Sequence, residues 1–366
     1  MDNERMCGDP RLFDLLLYKI IVPPGIWIRI THLFHNRWMQ KRISVIIPNY
    51  NGATTIGKCL EAALSSAYPD FEVVAVDDCS TDSSIEIIKR FPCILVALDL
   101  HSGASGARNA GARQASGDIL FFIDADCILQ NDALSLAAKA IVDGEDKVVG
   151  GTYTAIPYDD SFFSTFQSIF IHYSETKKRE PDYIATHAMV INRSLFIKSG
   201  GFPEDFLPII EDVEFSHRLR RSGHSLVMYP AILVKHIFNF TFTKSLRNAF
   251  RKSMFWTEYS LANRDVFTNS GTASRELKAN VVSLFVSLLL LLAYFIWKKV
   301  MLLFVLPLLV SFNVFLNRGL IMAFYQTKGL FFALGATFYY MTVYPLAVGV
   351  GALAGMWRYV RSGRKV

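Results

Sequence analysis

Two aspartates end an apolar run in this chain: DILFFIDAD places Asp124 and Asp126 one residue apart just after ILFFI. Carboxylates that close repel unless a cation sits between them. Oxygen donors suit Mg²⁺ or Mn²⁺, which commonly take one or two carboxylates plus a substrate's phosphates. A lone D-x-D is weak evidence, and a solvated turn is its plain alternative. A second acidic pair, Asp77-Asp78, ends EVVAVDD and precedes Cys79-Ser80-Thr81-Asp82. A carboxylate there could accept from a nucleobase N–H or a ribose hydroxyl. The same run also makes a good helix cap, with Asp78 the better ligand and Asp82 the better cap.

The elements that position these groups read as alternating strands and helices. ISVIIP (43–48), EVVAVDD (72–78), CILVALDL (93–100) and DILFFID (118–124) are short β-branched runs closed by turn residues. Helical stretches at 54–66, 83–90 and 104–115 lie between them. That order predicts a mostly parallel sheet with helices on both faces. Ligands of such sheets gather beyond the carboxyl ends of the strands. Asn49-Tyr50-Asn51, Asp77-Asp78 and Asp124-Ala125-Asp126 all fall there.

Composition adds a second character. Of 366 residues, 52% are hydrophobic and 19% charged, which excludes a disordered or collagen-like chain. From Ala273 onward there are ten basic residues and one acidic, against twenty-eight and thirty-one before it. The net charge of +6 therefore belongs to the tail. Its basic residues flank apolar runs rather than forming a groove-sized patch, so nucleic acid is not an expected partner. Ala279–Trp297 is charge-free over 19 residues, Val300–Leu316 is nearly as apolar, and Gly329–Trp357 runs 29 residues without a charge. About three membrane spans are expected in 273–366, ahead of a basic tail. Three spans would put the two ends of the chain on opposite faces, although the tail RYVRSGRKV belongs on the cytoplasmic side by its charge. Residues 1–42, apolar but broken by charges and a diproline, read as an amphipathic segment at the membrane surface or a clasp on the main domain. No secretory signal is expected from MDNERMCGDP. Within 241–272, Leu246, Ala249, Phe250, Met254, Thr257 and Leu261 share a helical face, with Arg247, Arg251 and Lys252 elsewhere around it. That predicts an interfacial helix, with a domain-packing helix as the alternative. The five cysteines show no metal spacing and are expected as buried or half-buried free thiols in a reducing compartment.

Taken in order, SVIIPNYN, EVVAVDDCSTD, GASGARNAGARQASGD and FFIDAD resemble the nucleotide-sugar half of family 2 glycosyltransferases with the GT-A fold. GGFPEDF, IEDVEFSHRLRRSGH and VKH at 234–236 are similar to that family's acceptor half. The resemblance covers roughly 43–240 and implies an α/β, Rossmann-like GT-A catalytic domain followed by transmembrane α-helices. It implies that Pro48, Tyr50 and Asn51 line the nucleoside pocket, with Asp77 and Asp78 at the base or ribose. Arg108 would lie near the diphosphate or sugar; its alternative is an ordinary helix-surface arginine. Asp124 and Asp126 would hold a divalent metal, Mn²⁺ or Mg²⁺, and through it the donor, and His236 would be a third ligand. Glu211-Asp212 matches an E-D pair whose aspartate is the catalytic base; the alternative is a helix N-terminus.

The chemistry suits these residue types on its own terms. A departing sugar diphosphate needs positive charge on its oxygens. The acceptor hydroxyl needs a base on the opposite side of the anomeric carbon, worth about 10² to 10⁴-fold. Asp212 is the expected base, with Glu211 orienting it, and His217 and His224 are expected on a helix surface. The expected function is a membrane-anchored, inverting, single-sugar transfer from a nucleotide sugar to a lipid-linked or glycolipid acceptor. The catalytic domain would be cytoplasmic on an integral membrane protein of glycan, polysaccharide or glycolipid biosynthesis. A processive polysaccharide synthase is the alternative, but RNAFRKSMFW stands where such enzymes carry Q-x-x-R-W. A non-catalytic scaffold would be expected to have lost one of the acidic residues.

Overall fold

The computed structural model describes residues 41–142, 146–205, 207–265 and 270–362. The proposed surface segment therefore lies, up to residue 40, outside the described residues, as does the end of the basic tail.

The predicted β/α alternation forms. β1 (Ile43–Asn49), α1 (Ile56–Leu64), β2 (Phe71–Asp77), α2 (Ser84–Ile88), β3 (Ile94–Ala97), α3 (Gly103–Gln114) and β4 (Ile119–Phe122) follow in chain order. β1 pairs in parallel with β2 and β4, and β2 with β3. The second half adds β5 (Cys127–Leu129), α4 (Ala133–Val142), β6 (Lys147–Tyr153), α5 (Phe162–Thr176), β7 (Met189–Asn192), α6 (Arg193–Lys198), α7 (Glu211–Arg221) and β8 (Ser225–His236). The eight strands make one sheet in the order β3-β2-β1-β4-β7-β6-β8-β5. β7 is antiparallel to both β4 and β6, so the sheet is mixed at its centre.

The central strands are buried on both faces and mostly apolar: Ile46, Val74, Val76, Phe121 and Phe122 are fully enclosed. Each such side chain contributes roughly 1.5–3 kcal/mol by leaving water. α3 is a different kind of helix. GASGARNAGARQ has little apolar surface, yet Ser105 through Ala112 are all buried. Small residues let it sit close on the sheet: a Cβ on Gly111 would come 2.5 Å from the Ile46 side chain. Asn109 fixes its outer side, accepting from Phe202 N at 2.9 Å and donating to Phe202 O at 2.8 Å. The neighbouring Gly201 has φ +69 and would press any Cβ into Asn109, which explains the paired glycines of GGFPEDF.

Beyond the sheet run α8 (Phe242–Ala262), α9 (Arg275–Trp297), α10 (Val305–Leu316) and α11 (Arg318–Ser362), with a 3-10 turn at Val300–Phe304. Two of these, α9 and α11, are long and apolar enough to cross a membrane. Val300–Leu316, expected as a span, is divided between the 3-10 turn and a short helix. α11 is itself interrupted at Gly329 (φ 78, ψ −175). The α8 face read as facing lipid is covered by α11: Gly351 and Gly355 pack on the carbonyls of Phe250 and Met254. Of the described cysteines, all free, Cys59 and Cys127 are buried and Cys93 half-buried, but Cys79 is exposed. Its left-handed backbone (φ 63) in the turn after β2 turns the side chain out.

Candidate active site

The nucleoside end is built by the tips of β1 and β2. Asp77, fully buried, accepts from Asn49 Nδ2 and Ser80 N, both at 2.9 Å. Asp78 is also buried, with Oδ1 accepting from Ser102 N at 2.7 Å and Oδ2 2.9 Å from His101 Nδ1. Tyr50 is half exposed and stacks on His101 with ring centroids 4.2 Å apart. Asn51 takes a left-handed backbone (φ 50) and accepts from Thr81 N at 2.8 Å, while Pro48 is half-buried beside it. Asp82, one residue before the N-cap Ser83 of α2, accepts from Ser84 N at 3.0 Å and from Ala53 N at 3.0 Å.

The second cluster joins three distant segments. Arg108, 5% exposed in the middle of α3, donates through NH1 to Glu211 Oε1 and through NH2 to Asp124 Oδ1, both at 2.7 Å. The surface-arginine alternative is thus excluded: the guanidinium is buried and bridges the strand-end aspartate to the start of α7. Burial pushes the Asp124 carboxyl up, but Arg108, with His187 and His236 behind it, outweighs this and holds it below the usual carboxylate range. Asp212 has no such partner. Burial, with Glu211 adding to it and Arg108 opposing, pushes its carboxyl up to about 7. Its one hydrogen bond among the described residues comes from Val213 N at 2.8 Å.

Asp126 and His236 meet through sheet register. β5 pairs antiparallel with β8 so that Cys127 faces His236, and Ile237 N donates to Asp126 O at 2.8 Å. Asp126 Oδ1 then lies 3.5 Å from His236 Nε2, with Cys127 Sγ in the same group of potential ligands. Burial raises the Asp126 carboxyl, His236 opposes and Asp124 adds to the rise. Burial also lowers the His236 pKa against the pull of both aspartates, which keeps the imidazole neutral and able to ligate. Asp126 remains 42% exposed, leaving room for further ligands. A neutral imidazole and a carboxylate short of positive charge fit a hard divalent cation. Cys127, a thiol whose pKa burial pushes well up, adds little to such a site. Asp124, expected as the other ligand, has given Oδ1 to Arg108.

The Arg108 cluster and Asp212 open on a cavity of about 570 Å³. Asp124, Arg108, Glu211 and Asp212 line one end, and Leu277, Val281, Val348 and Met356 of α9 and α11 line the other. Sequence reasoning missed three of its residues. His187 stacks on Tyr153 with centroids 4.0 Å apart and lies 3.4 Å from Glu175, which also accepts from Thr152 Oγ1 at 2.7 Å. Burial works against the imidazolium, but Glu175 and Asp124 raise the His187 pKa overall. Lys252 of α8 is the third lining residue. Nothing local in THAM or SET marks the first two, since the pair forms only when α5 packs beside the 3-10 turn Thr186–Ala188. His217, expected on a surface, is half-buried and bonds to the Tyr259 hydroxyl at 2.8 Å, tying α7 to α8.

The family model described as Glycosyl transferase family 2 matches residues 44–200, which hold the strand tips and the D-x-D turn. Residues 44–200 are a family 2 glycosyltransferase domain. Glycosyltransferase AglE of Haloferax volcanii is 29% identical over 202 residues, covering 53% of this chain and 66% of the relative. Glycosyltransferase GlyA of Streptococcus pneumoniae is 33% identical over 129 residues, covering 34% of this chain and 18% of the relative. The chain therefore spans less than two thirds of the length of either. Among solved structures, the mannosyltransferase PcManGT from Pyrobaculum calidifontis, in complex with GDP-Man and Mn²⁺, superposes with a TM-score of 0.54. It is 18% identical, with 92% of this chain and 95% of that one covered. The glycosyltransferase domain thus has the GT-A fold.

Proposed function

We propose that the chain is a membrane-attached, inverting glycosyltransferase. It moves a single sugar from a nucleotide-sugar donor to a lipid-linked or glycolipid acceptor at the cytoplasmic leaflet. The observation that carries this reading is the cavity, acidic where Asp212 and Asp124 lie and aliphatic where α9 and α11 close it. An acceptor with a sugar or phosphate head and an apolar tail matches that gradient. GDP-Man and Mn²⁺, bound in the structural neighbour, are the first ligands to try.

Tyr50 would stack on the nucleobase and Asp78, held rigid by Ser102 and His101, would read the base or ribose. Asp126 and His236, with the second oxygen of Asp124, would hold a divalent cation. When bound, that cation neutralises charge developing on the diphosphate. Arg108 fixes Asp124 and Glu211 in place, so the site does not reorganise as the charge shifts. Asp212 takes the proton of the acceptor hydroxyl as its oxygen bonds to the anomeric carbon and the bond to the diphosphate breaks. Entry and departure on opposite faces invert that carbon. A carboxyl pushed up to about 7 suits this role, since a base works best with a pKa near the working pH.

The test is turnover of a panel of UDP-, GDP- and dTDP-sugars with Mn²⁺ or Mg²⁺ in vesicles carrying a polyprenyl phosphate or a glycolipid. Product anomer is read by NMR. One donor giving an inverted, singly glycosylated lipid is expected. Long polymer, retained configuration, or no turnover of any donor would overturn the reading.

A further inference from the structure

The α9–α10 hairpin is fastened to the glycosyltransferase domain at both of its ends, and α11 is fastened to that domain at one end and to α8 at the other. α9 leaves the domain where Lys177, at the end of α5, lies 2.7 Å from Glu276. The chain comes back at Gly319, which sits directly on the Tyr173 hydroxyl and leaves no room for a Cβ. Tyr173 is one helical turn from Lys177 on α5, so departure and return share one place. Between them α9 and α10 pack as a hairpin, with Leu289, Phe295, Ile296, Met301, Phe304 and Leu308 exposed.

The charge-free part of α11 is also tied down at both ends. Lys328 Nζ lies 2.7 Å from Asp160 Oδ2, and Arg358 Nε lies 2.8 Å from Glu258 Oε2. In between, Tyr339 donates to Ser245 Oγ at 2.9 Å and Ser253 donates to Val348 O at 2.7 Å. α8 therefore follows α11 along its length, and α8 exposes Lys244, Arg247 and Arg251. A basic side chain is costly at the bilayer centre, so these cations belong among headgroups. They set the depth of the helix beside them. On the side away from the domain, α11 exposes Phe331, Leu334, Phe338, Leu346, Leu353 and Trp357, a single helical stripe.

We propose that α11 lies flat in the headgroup–acyl boundary of an anionic leaflet, stripe inward, and that only the α9–α10 hairpin enters the hydrocarbon core. The hairpin returns to the side it left. This rests on the membrane attachment proposed above. At about 1.5 Å per residue α11 is long enough to cross a core of roughly 30 Å, but one end is held by Asp160 of the domain and the other by Glu258 of α8, which is itself tied to α7 through Tyr259 and His217. The arrangement also removes the conflict that three crossings create: Arg358 and Arg361 stay with the catalytic side, where positive charge belongs.

The test uses the full chain with phosphatidylglycerol–phosphatidylcholine vesicles. Flotation reads attachment. Depth is read by doxyl-lipid quenching of NBD on F331C, F338C, L346C and L353C, each made with Cys7→Ser and Cys79→Ser. Sidedness is read by an impermeant thiol reagent on R361C, with native Cys79 marking the catalytic side. The expected result is similar, shallow quenching at all four positions, with position 361 labelled from the same side as Cys79. A profile deepest at 338 and 346, or labelling of 361 from the opposite side, would overturn the proposal while leaving attachment intact. Absence of flotation would remove attachment and the proposal together.

Discussion

The acidic residues at the tip of β2 and those expected to act as base and metal ligand differ in who satisfies them. Asp77 and Asp78 are buried and have their hydrogen bonds supplied by Asn49, Ser80, Ser102 and His101. Among the described residues Asp212 has only the N–H of the next residue, and Asp126 has a neutral imidazole at 3.5 Å. Burying a polar group costs about 1–3 kcal/mol or more when its bonds are not made. The first pair therefore shapes a loop, while the second pair stands ready for an incoming hydroxyl or cation. Arg108 divides the regions, because it pairs Asp124 and Glu211 and leaves Asp126 and Asp212 free.

Substitutions that sharpen this contrast have graded effects. Asp212→Asn removes the base while keeping the shape, and should lower the transfer rate about 10² to 10⁴-fold with donor affinity unchanged, measured by single-turnover kinetics beside titration. Arg108→Ala leaves two carboxylates facing each other in a buried site. Breaking such a pair costs about 3–5 kcal/mol, read as a large drop in the urea midpoint, and the loss should exceed that of Arg108→Lys. His236→Ala should weaken Mn²⁺-dependent donor binding by about tenfold or more, in the range for disturbed metal sites, with little change in metal-free binding.

The pH profile separates the regions without mutation. Asp212 must be ionised to act as base and its carboxyl is pushed up to about 7, so the rate should rise as pH passes upward through 7 and then level. Glu211→Gln takes away a neighbouring negative charge that raises that pKa, and the rise should move to lower pH. A flat profile between pH 5 and 9 would show that Asp212 is not the base. The smallest effect is expected from Asp82→Ala, which loses the hydrogen bonds to Ser84 and Ala53. Stability should fall by about 1 kcal/mol, seen as a lower Tm, with the transfer rate within about twofold of wild type.

Much of this was legible locally. The four parallel strands, their helices and the polar tips could be read because each strand is a short apolar run that ends in its own turn residues. Asp124 and Asp126 end such a run, whereas Asp212 is singled out only by the resemblance of Glu211-Asp212 to the family's E-D pair. Arg108 was not decided by its helix, where GASGARNAGARQ has no apolar face to say which side is buried. Its role depends on Glu211, 103 residues away. Glu175 and His187 left no trace because packing of α5 on a 3-10 turn, rather than periodicity, brings them together. Hydropathy saw three apolar runs at the C-terminus but not that Gly329 interrupts α11, nor that ion pairs at Asp160 and Glu258 hold that helix along the domain.

The most direct measurement is donor binding and single-turnover transfer by Asp212→Asn and wild type in the same Mn²⁺-containing vesicles. If a free carboxylate facing the cavity does the chemistry, the variant binds donor within about twofold of wild type and transfers at least about 10²-fold more slowly. Transfer at the wild-type rate, or loss of donor binding with the asparagine in place, would contradict that assignment and turn the search for the base to Glu175 and His187 across the same cavity.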